Sequence, residues 1–413
     1  MKIYLLLAAL LAAISADAHK LTFDLSRPEA LPLYNEASGY GREASVDNGY
    51  KPGDSYRFSV KLPDGNYRVT ITLGDDRHKS LTLVRAESRR LFLEPTAVGK
   101  GDSLTVSFTI NKRSPVIDNK HRIKLKESER DYLNWDEKLT LEIAGDRPAV
   151  RHVTVEPVDS CTTLYLCGNS TVVDQEHEPW ASWGQMITRW FGPEVAVANY
   201  AESGMTTSQF IEQKRLDKIV SLLKPGDYVL CEFGHNDQKE KFAGAGAWYN
   251  FAHNLKVFID KARSCGANVI LCTPTRRRVF SDSATVTDTH LDYPQAIAAI
   301  AARENIPLID LQEYTRLFYE ALGPDESRRA FVHYPANTFP GQPAALADNT
   351  HFNPYGAYEI AKMVIMGMKR ADITLTKHVR DDFTDFNPEN PDDRDTFFWQ
   401  PGGNVVITKP DGN

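Results

Sequence analysis

The stretch Thr162-Thr-Leu-Tyr-Leu-Cys-Gly-Asn-Ser-Thr-Val-Val-Asp-Gln175 decides how the chain is read. An apolar run of strand length stops abruptly at Gly168-Asn169-Ser170-Thr171. Such a run reads as a buried strand whose tip turns sharply and holds a hydroxyl at the rim of a sheet. The same residues also suit an ordinary turn followed by a helix N-cap, so the partners downstream decide between the two readings.

Downstream, apolar runs alternate with stretches of helical periodicity. Strands are expected at 164–167, 195–198, 228–233, 269–272 and 307–309, and helices around 182–190, 207–223, 250–264, 294–304 and 354–369. Strand and helix in alternation predict an α/β domain, a parallel sheet covered on both faces. Ligands of such sheets gather at the carboxyl ends of the strands. Those ends carry Ser170, then Asn199-Tyr-Ala-Glu-Ser-Gly204, then Phe233-Gly-His-Asn-Asp237, while Asp348-Asn-Thr-His351-Phe-Asn-Pro-Tyr-Gly356 precedes the last helix. Polar turns thus converge on one rim.

A serine hydroxyl needs a base to become a nucleophile, and the base needs a third group to fix its tautomer. His351 is the candidate base, and Asp348, three residues earlier at an expected helix entrance, its candidate partner; alone, Asp348 also reads as a helix N-cap. Acyl transfer further needs donors aimed at the developing oxyanion. The N–H groups of Ser170 and Gly204 and the side-chain amide of Asn236 are the candidates; in isolation Gly204 is a loop residue of positive φ and Asn236 a turn cap.

Gly168-Asn-Ser170, Gly204, Gly234-His-Asn236 and Asp348-Asn-Thr-His351 together resemble the ordered blocks of the GDSL, or SGNH, hydrolases. The Gly-His-Asn-Asp and Asp-Asn-Thr-His-Phe-Asn runs look most like the rhamnogalacturonan acetylesterase branch, over roughly residues 160–370. That resemblance implies a three-layer, flavodoxin-like domain. It makes Ser170 the nucleophile, His351 the base and Asp348 its orienting partner, with Ser170, Gly204 and Asn236 as oxyanion hole. It implies neither metal nor organic cofactor. The family usually has Asp where this chain has Asn169, whose carbonyl oxygen can accept part of the same hydrogen bonds.

Before this domain the pattern is all-β. Tyr67-Arg-Val-Thr-Ile-Thr-Leu73, Ser80-Leu-Thr-Leu-Val84, Ser103-Leu-Thr-Val-Ser-Phe-Thr-Ile110 and Lys138-Leu-Thr-Leu-Glu-Ile143 alternate apolar and polar residues, which predicts a sandwich over 19–159. It resembles the galactose-binding-like modules that accompany such esterases. The charged stretch 121–137 is expected to be a solvated loop, with Tyr132 and Trp135 covering the sandwich core. Residues 160–370 are the expected hydrolase domain and 371–413 an acidic tail, whose Phe397-Phe-Trp399 should dock on the sandwich or the domain junction.

Met1-Lys2, a short apolar run and Ala16-Asp-Ala18 predict a signal peptide over 1–18 and export to a periplasm or the cell exterior. No later run is long enough to span a membrane. The net charge of -7 offers nucleic acid no general attraction, so no nucleic-acid partner is expected. The Cys count of 5, without paired spacing or a C-x-x-C pattern, is expected to be mostly buried thiols, with one disulfide left open. His177 and His235 lie in no H-E-x-x-H or similar metal pattern and are read as rim residues.

Arg276-Arg-Arg278 follows the fourth strand of the domain, so Arg276 and Arg277 are candidates to reach a substrate carboxylate, such as the galacturonates of pectin; a solvated loop paired with Asp282 and Asp288 is the plain alternative. Trp248, in a Gly-Ala-Gly-Ala loop, is expected to be exposed as a sugar platform, and His235 to shape the substrate side of the oxyanion loop. The expected partner is an acetylated pectic polysaccharide or oligosaccharide. The alternatives are an SGNH esterase acting on acetylxylan, peptidoglycan or lipid esters, or a carbohydrate-binding protein without catalysis.

Overall fold

The strand that ends at Gly168 runs through a nine-stranded sheet that serves both halves of the molecule. The computed structural model describes residues 20–44, 51, 53–282, 284–402 and 405–411; the expected signal peptide, 1–18, lies outside the described residues. Across the sheet the order is Leu21–Asp24, Val150–Pro157, Gly65–Leu73, Leu104–Lys112, Val195–Asn199, Thr162–Gly168, Tyr228–Glu232, Asn268–Cys272 and Leu308–Ile309. The first members pair antiparallel, and from Leu104–Lys112 onward every pairing is parallel.

In the parallel half, successive side chains enter opposite cores, as a pleated strand buried on both faces requires. Leu164 and Leu166 join Val197, Leu230, Ile270 and the helix Pro354–Arg370 on one face. Tyr165 and Cys167 join Val229, Cys231, Leu271 and the helices Ala252–Ser264 and Tyr293–Glu304 on the other. Cys161, Cys167, Cys231 and Cys272 are buried and all five thiols are free.

Strand order reverses at Thr162–Gly168, because the chain goes next to Val195–Asn199 on one side and later to Tyr228–Glu232 on the other. The connections diverge there and leave a crevice above the carboxyl end of that strand, the usual ligand position in open α/β sheets.

The antiparallel half faces a second sheet, ordered Tyr40–Arg42, Tyr56–Lys61, Lys138–Ala144, Ser80–Ala86 and Arg90–Val98. Phe58, Val69, Ile71, Phe108, Leu141, Ile143 and Val153 fill the space between them. The expected sandwich is present, yet one of its sheets is not its own. Thr109 and Ile110 pair with Ala196 and Val197, so the sandwich covers what would otherwise be an open edge of the parallel sheet.

Other departures have local causes. The helix expected over 207–223 breaks into Thr207–Glu212 and Arg215–Leu222 at Lys214, whose φ is 63°. There the Lys124 N–H takes the Gln213 carbonyl at 2.9 Å. The segment 121–137 is not a solvated loop, since Glu129 is buried against Arg215. Trp135 packs 6.0 Å from the Tyr200 ring in the core of the parallel half, not in the sandwich core. The helix Leu311–Glu326, capped by Asp310, and the hairpin of Phe331–Tyr334 with Leu346–Phe352 have no counterpart in the expected elements.

The tail lies on the body of the protein. Trp399 stacks on the guanidinium of Arg85, 4.5 Å from the ring centre, and donates to Glu178. Phe397 packs on Tyr355 and Tyr358 of the last helix, and Phe398 is exposed.

Candidate active site

Gly168 has to be glycine because of what stands over it: a Cβ there would come within 2.5 Å of Val172 Cγ2 and 2.9 Å of the Glu232 carbonyl oxygen. The chain therefore turns tightly, with the N–H groups of Val172 and Val173 both donating to the Asn169 carbonyl at 3.0 Å. Asn169 Oδ1 accepts from the N–H and the hydroxyl of Thr171 at 3.1 and 3.0 Å. The Ser170 carbonyl is gripped by Ser182 Oγ at 2.6 Å and Gln175 Nε2 at 3.1 Å. A serine held this way presents its Oγ in a fixed direction.

That direction is toward His351. Ser170 Oγ lies 3.0 Å from His351 Nε2, and His351 Nδ1 lies 2.9 Å from Asp348 Oδ2. Burial pushes the Asp348 carboxyl up, but the hydrogen bond and charge of His351 and the N–H groups of His351 and Thr350 outweigh it and hold the group well below the usual carboxylate range. An ionised Asp348 only accepts, so Nδ1 carries the ring proton and Nε2 offers its lone pair to the serine hydroxyl. Asp348 and His351 sit in the strand Leu346–Phe352, not at a helix entrance. The cap of the last helix is Asn353, which accepts from the Gly356 N–H.

Behind the serine turn stands Glu232, fully buried at the end of its strand. Its carboxyl lies 2.9 Å from Thr171 Oγ1, whose one hydrogen is shared with Asn169 Oδ1, and accepts from Trp183 Nε1 at 2.6 Å and the Thr275 N–H at 3.2 Å. Burial drives its pKa up to about 7 against the pull of those donors. Asn169 Nδ2 is buried beside it with no hydrogen-bond partner among the described residues.

The Glu202 N–H donates to the Gly168 carbonyl at 3.3 Å, which brings the loop carrying Gly204 alongside the serine turn. Gly204 has φ 76°, a conformation that favours glycine, and Asp411 Cβ would be 3.0 Å from a Cβ there. Asn236 donates one amide hydrogen to the Met205 carbonyl at 3.2 Å, and its Oδ1 accepts from Lys239 Nζ at 3.1 Å. Its amide is thereby oriented, with one N–H left to give.

The remaining predicted residues divide. Arg276 is spent on the Gln312 and Val286 carbonyls at 3.2 and 3.1 Å, so the structure assigns it to loop packing instead of the cleft. Arg277 turns toward the Gly-His-Asn loop and donates to the His235 carbonyl at 3.1 Å. His235 is buried, its ring 4.5 Å from that of His290. Burial, then the neighbouring charges, keep it neutral, so it packs the loop from within. Trp248 is 52% exposed on its loop, without a contact to the Ser170, His351, Asp348 group.

Sequence reading missed the tail's part in the site. Val405 and Val406 run beside Glu178, and the Val406 carbonyl accepts from Trp180 Nε1 at 2.8 Å. The Trp180 ring in turn stands edge-on to His351 at 5.7 Å. Lys409 Nζ reaches 3.2 Å from Asp348 Oδ2, and Asp411 pairs with Lys126 at 2.9 Å. No local pattern announces these contacts, and Lys409 is one of several basic residues in the tail.

A buried Ser, His and Asp in one hydrogen-bonded line at the switch point of a parallel sheet define a hydrolase-type site. The chain belongs to the GDSL-like Lipase/Acylhydrolase family, whose profile matches residues 159–357. It is 40% identical over 218 residues to the rhamnogalacturonan acetylesterase RhgT of Bacillus subtilis (strain 168), covering 52% of this chain and 93% of that protein. It is 26% identical over 344 residues to the uncharacterized esterase YxiM of the same organism, covering 82% of this chain and 81% of that one. The crystal structure of YxiM superposes with a TM-score of 0.48 over 83% of this chain and 93% of that one, at 24% identity.

Proposed function

We propose that this acylhydrolase is a carbohydrate esterase that removes O-acetyl groups from a plant cell-wall polysaccharide, with rhamnogalacturonan as its substrate. The observation that carries the chemistry is the line Asp348, His351, Ser170 with its 2.9 and 3.0 Å contacts. The similarity to RhgT supports the choice of substrate.

In this reading Ser170 Oγ attacks the acetyl carbonyl carbon while His351 Nε2 takes the hydroxyl proton. The new C–Oγ bond pushes the carbonyl electrons onto oxygen, where the N–H groups of Ser170 and Gly204 and the Asn236 amide stabilise the charge. Collapse breaks the bond to the sugar oxygen, which receives the proton from His351. Water then gives a proton to His351 and attacks the acetyl-serine; collapse breaks the C–Oγ bond, Ser170 Oγ takes the proton back from His351, and acetate leaves. Asp348 keeps the ring oriented and offsets its transient positive charge.

Rapid quenching with acetylated rhamnogalacturonan, followed by peptide mass spectrometry, tests this route. An acetyl adduct on the Ser170 peptide, absent in Ser170→Ala, is expected; turnover without any adduct on that peptide contradicts it. The apolar start of the chain supports export, and N-terminal sequencing of protein recovered outside the cytoplasm, beginning at His19, is the expected result.

A further inference from the structure

Arg277 is a half-buried guanidinium whose hydrogen-bond partners are all neutral. It donates to Thr289 Oγ1 at 3.1 Å, to the Thr289 carbonyl at 3.4 Å and to the His235 carbonyl at 3.1 Å, and stands 3.4 Å from His290 Nε2. Among the described residues no carboxylate lies within ion-pair distance of it. Burial lowers its pKa, the sign of a charge held at a cost. A cation kept in such a place without a counter-ion in its own chain suits an anionic ligand.

Two further cations share the location. Lys239 bonds to Asn236, the residue next to the carbonyl that Arg277 holds. Burial, then the charges of Arg277 and Lys409, push Lys239 down to about 8, so these groups feel one another. Lys409 enters from the tail, 47% exposed, and among the described residues its ammonium pairs with Asp348 alone. The nearby acids have partners of their own. Asp348 serves His351 as well as Lys409, Asp237 is bound by Thr207 and Gly234, and Glu240 holds Asn250.

We infer that Arg277, Lys239 and Lys409 form a carboxylate subsite beside the ester-cleaving centre, which holds a uronate of an acidic polysaccharide while Ser170 acts on an acetyl ester nearby. The guanidinium supplies a planar fork and the two lysines point charges, a donor set that matches a sugar carboxylate in a crowded cleft. The inference rests on the proposed polysaccharide esterase reading and deepens it, because a neutral acetylated xylan offers no carboxylate to the Arg277 guanidinium.

Binding without catalysis tests it and keeps the two claims apart. Calorimetry with Ser170→Ala and an unacetylated oligogalacturonate, against a neutral xylo-oligosaccharide of equal length, needs no turnover. Binding of the uronate chain alone is expected, weakened about tenfold by adding either Arg277→Gln or Lys409→Gln, in line with the loss of a charge-assisted hydrogen bond. Lys409→Gln, on an exposed part of the tail, keeps the test valid if Arg277→Gln fails to fold. Equal binding of both oligosaccharides, unchanged affinity in the folded variants, or equal competition by inorganic sulfate at the same concentration would overturn the uronate subsite. Loss of acetate release in the unsubstituted protein would instead strike the esterase reading.

Discussion

Lys409 Nζ and His351 Nδ1 share one acceptor, Asp348 Oδ2, at 3.2 and 2.9 Å. Lys409 thus competes with the ring for the Asp348 carboxylate. Removing the ammonium with Lys409→Met leaves more of that charge to offset the imidazolium that forms during attack. The kcat/KM on a small neutral ester should then rise, modestly because Lys409 is half exposed to solvent. Steady-state kinetics of the two proteins side by side measure it; an unchanged or lower kcat/KM refutes the coupling.

Asp348→Asn separates position from charge. An amide oxygen can still accept from the Thr350 and His351 N–H groups, now at 2.7 and 2.8 Å, so the strand should keep its course. The ring loses its fixed tautomer and its counter-charge, and kcat is expected to fall by roughly three to four orders of magnitude. KM and the melting temperature should change little. Retention of more than a tenth of the activity would remove Asp348 from the proposed mechanism.

For Asn236→Ala the expected loss is about two to three orders of magnitude in kcat, the size associated with one oxyanion donor. Substrate affinity should be nearly kept, because the donor is used fully only when charge develops. A change confined to KM would make Asn236 a binding residue.

The serine turn and the buried Glu232 make the Asn169 position testable by pH. Glu232 has a raised pKa, so its neutral form adds stability that is fully present below the usual carboxylate value and lost as pH rises through about 7. Asn169→Asp relieves the partnerless Nδ2 but sets a second carboxyl against Thr171, which already serves both Asn169 and Glu232. At pH 5 one of the acids stays protonated and the variant should match the parent. At pH 8 it should be less stable by on the order of 2 kcal/mol. Thermal melts at both values decide, and a variant equally stable at pH 8 contradicts the pairing.

The sequence reading succeeded where the signal was local. Each short apolar run that ends in Gly, Asn or Ser is a strand in the parallel half, because burial on both faces leaves little choice of residue. Asp348 and His351 were legible as a spacing, but their element was not: the run through Asn353 holds several residues able to cap a helix, and only packing chose Asn353. Long-range pairings left no local trace. The junction of Thr109 and Ile110 with Ala196 and Val197, the move of Trp135 to Tyr200, and the arrival of Lys409 at Asp348 each join segments far apart in the chain. Arg276 and Arg277 are indistinguishable in sequence, and only the neighbouring carbonyls send the first into the loop.

The most direct test of the account is acetate release from acetylated rhamnogalacturonan, with acetylated xylan and a small acetyl ester alongside, for the protein and its Ser170→Ala variant. Release from the pectic polymer in preference to xylan, lost by at least three orders of magnitude in the variant, is the predicted result. Acetate release that survives in Ser170→Ala, or none from the pectic polymer in the unsubstituted protein, would contradict it.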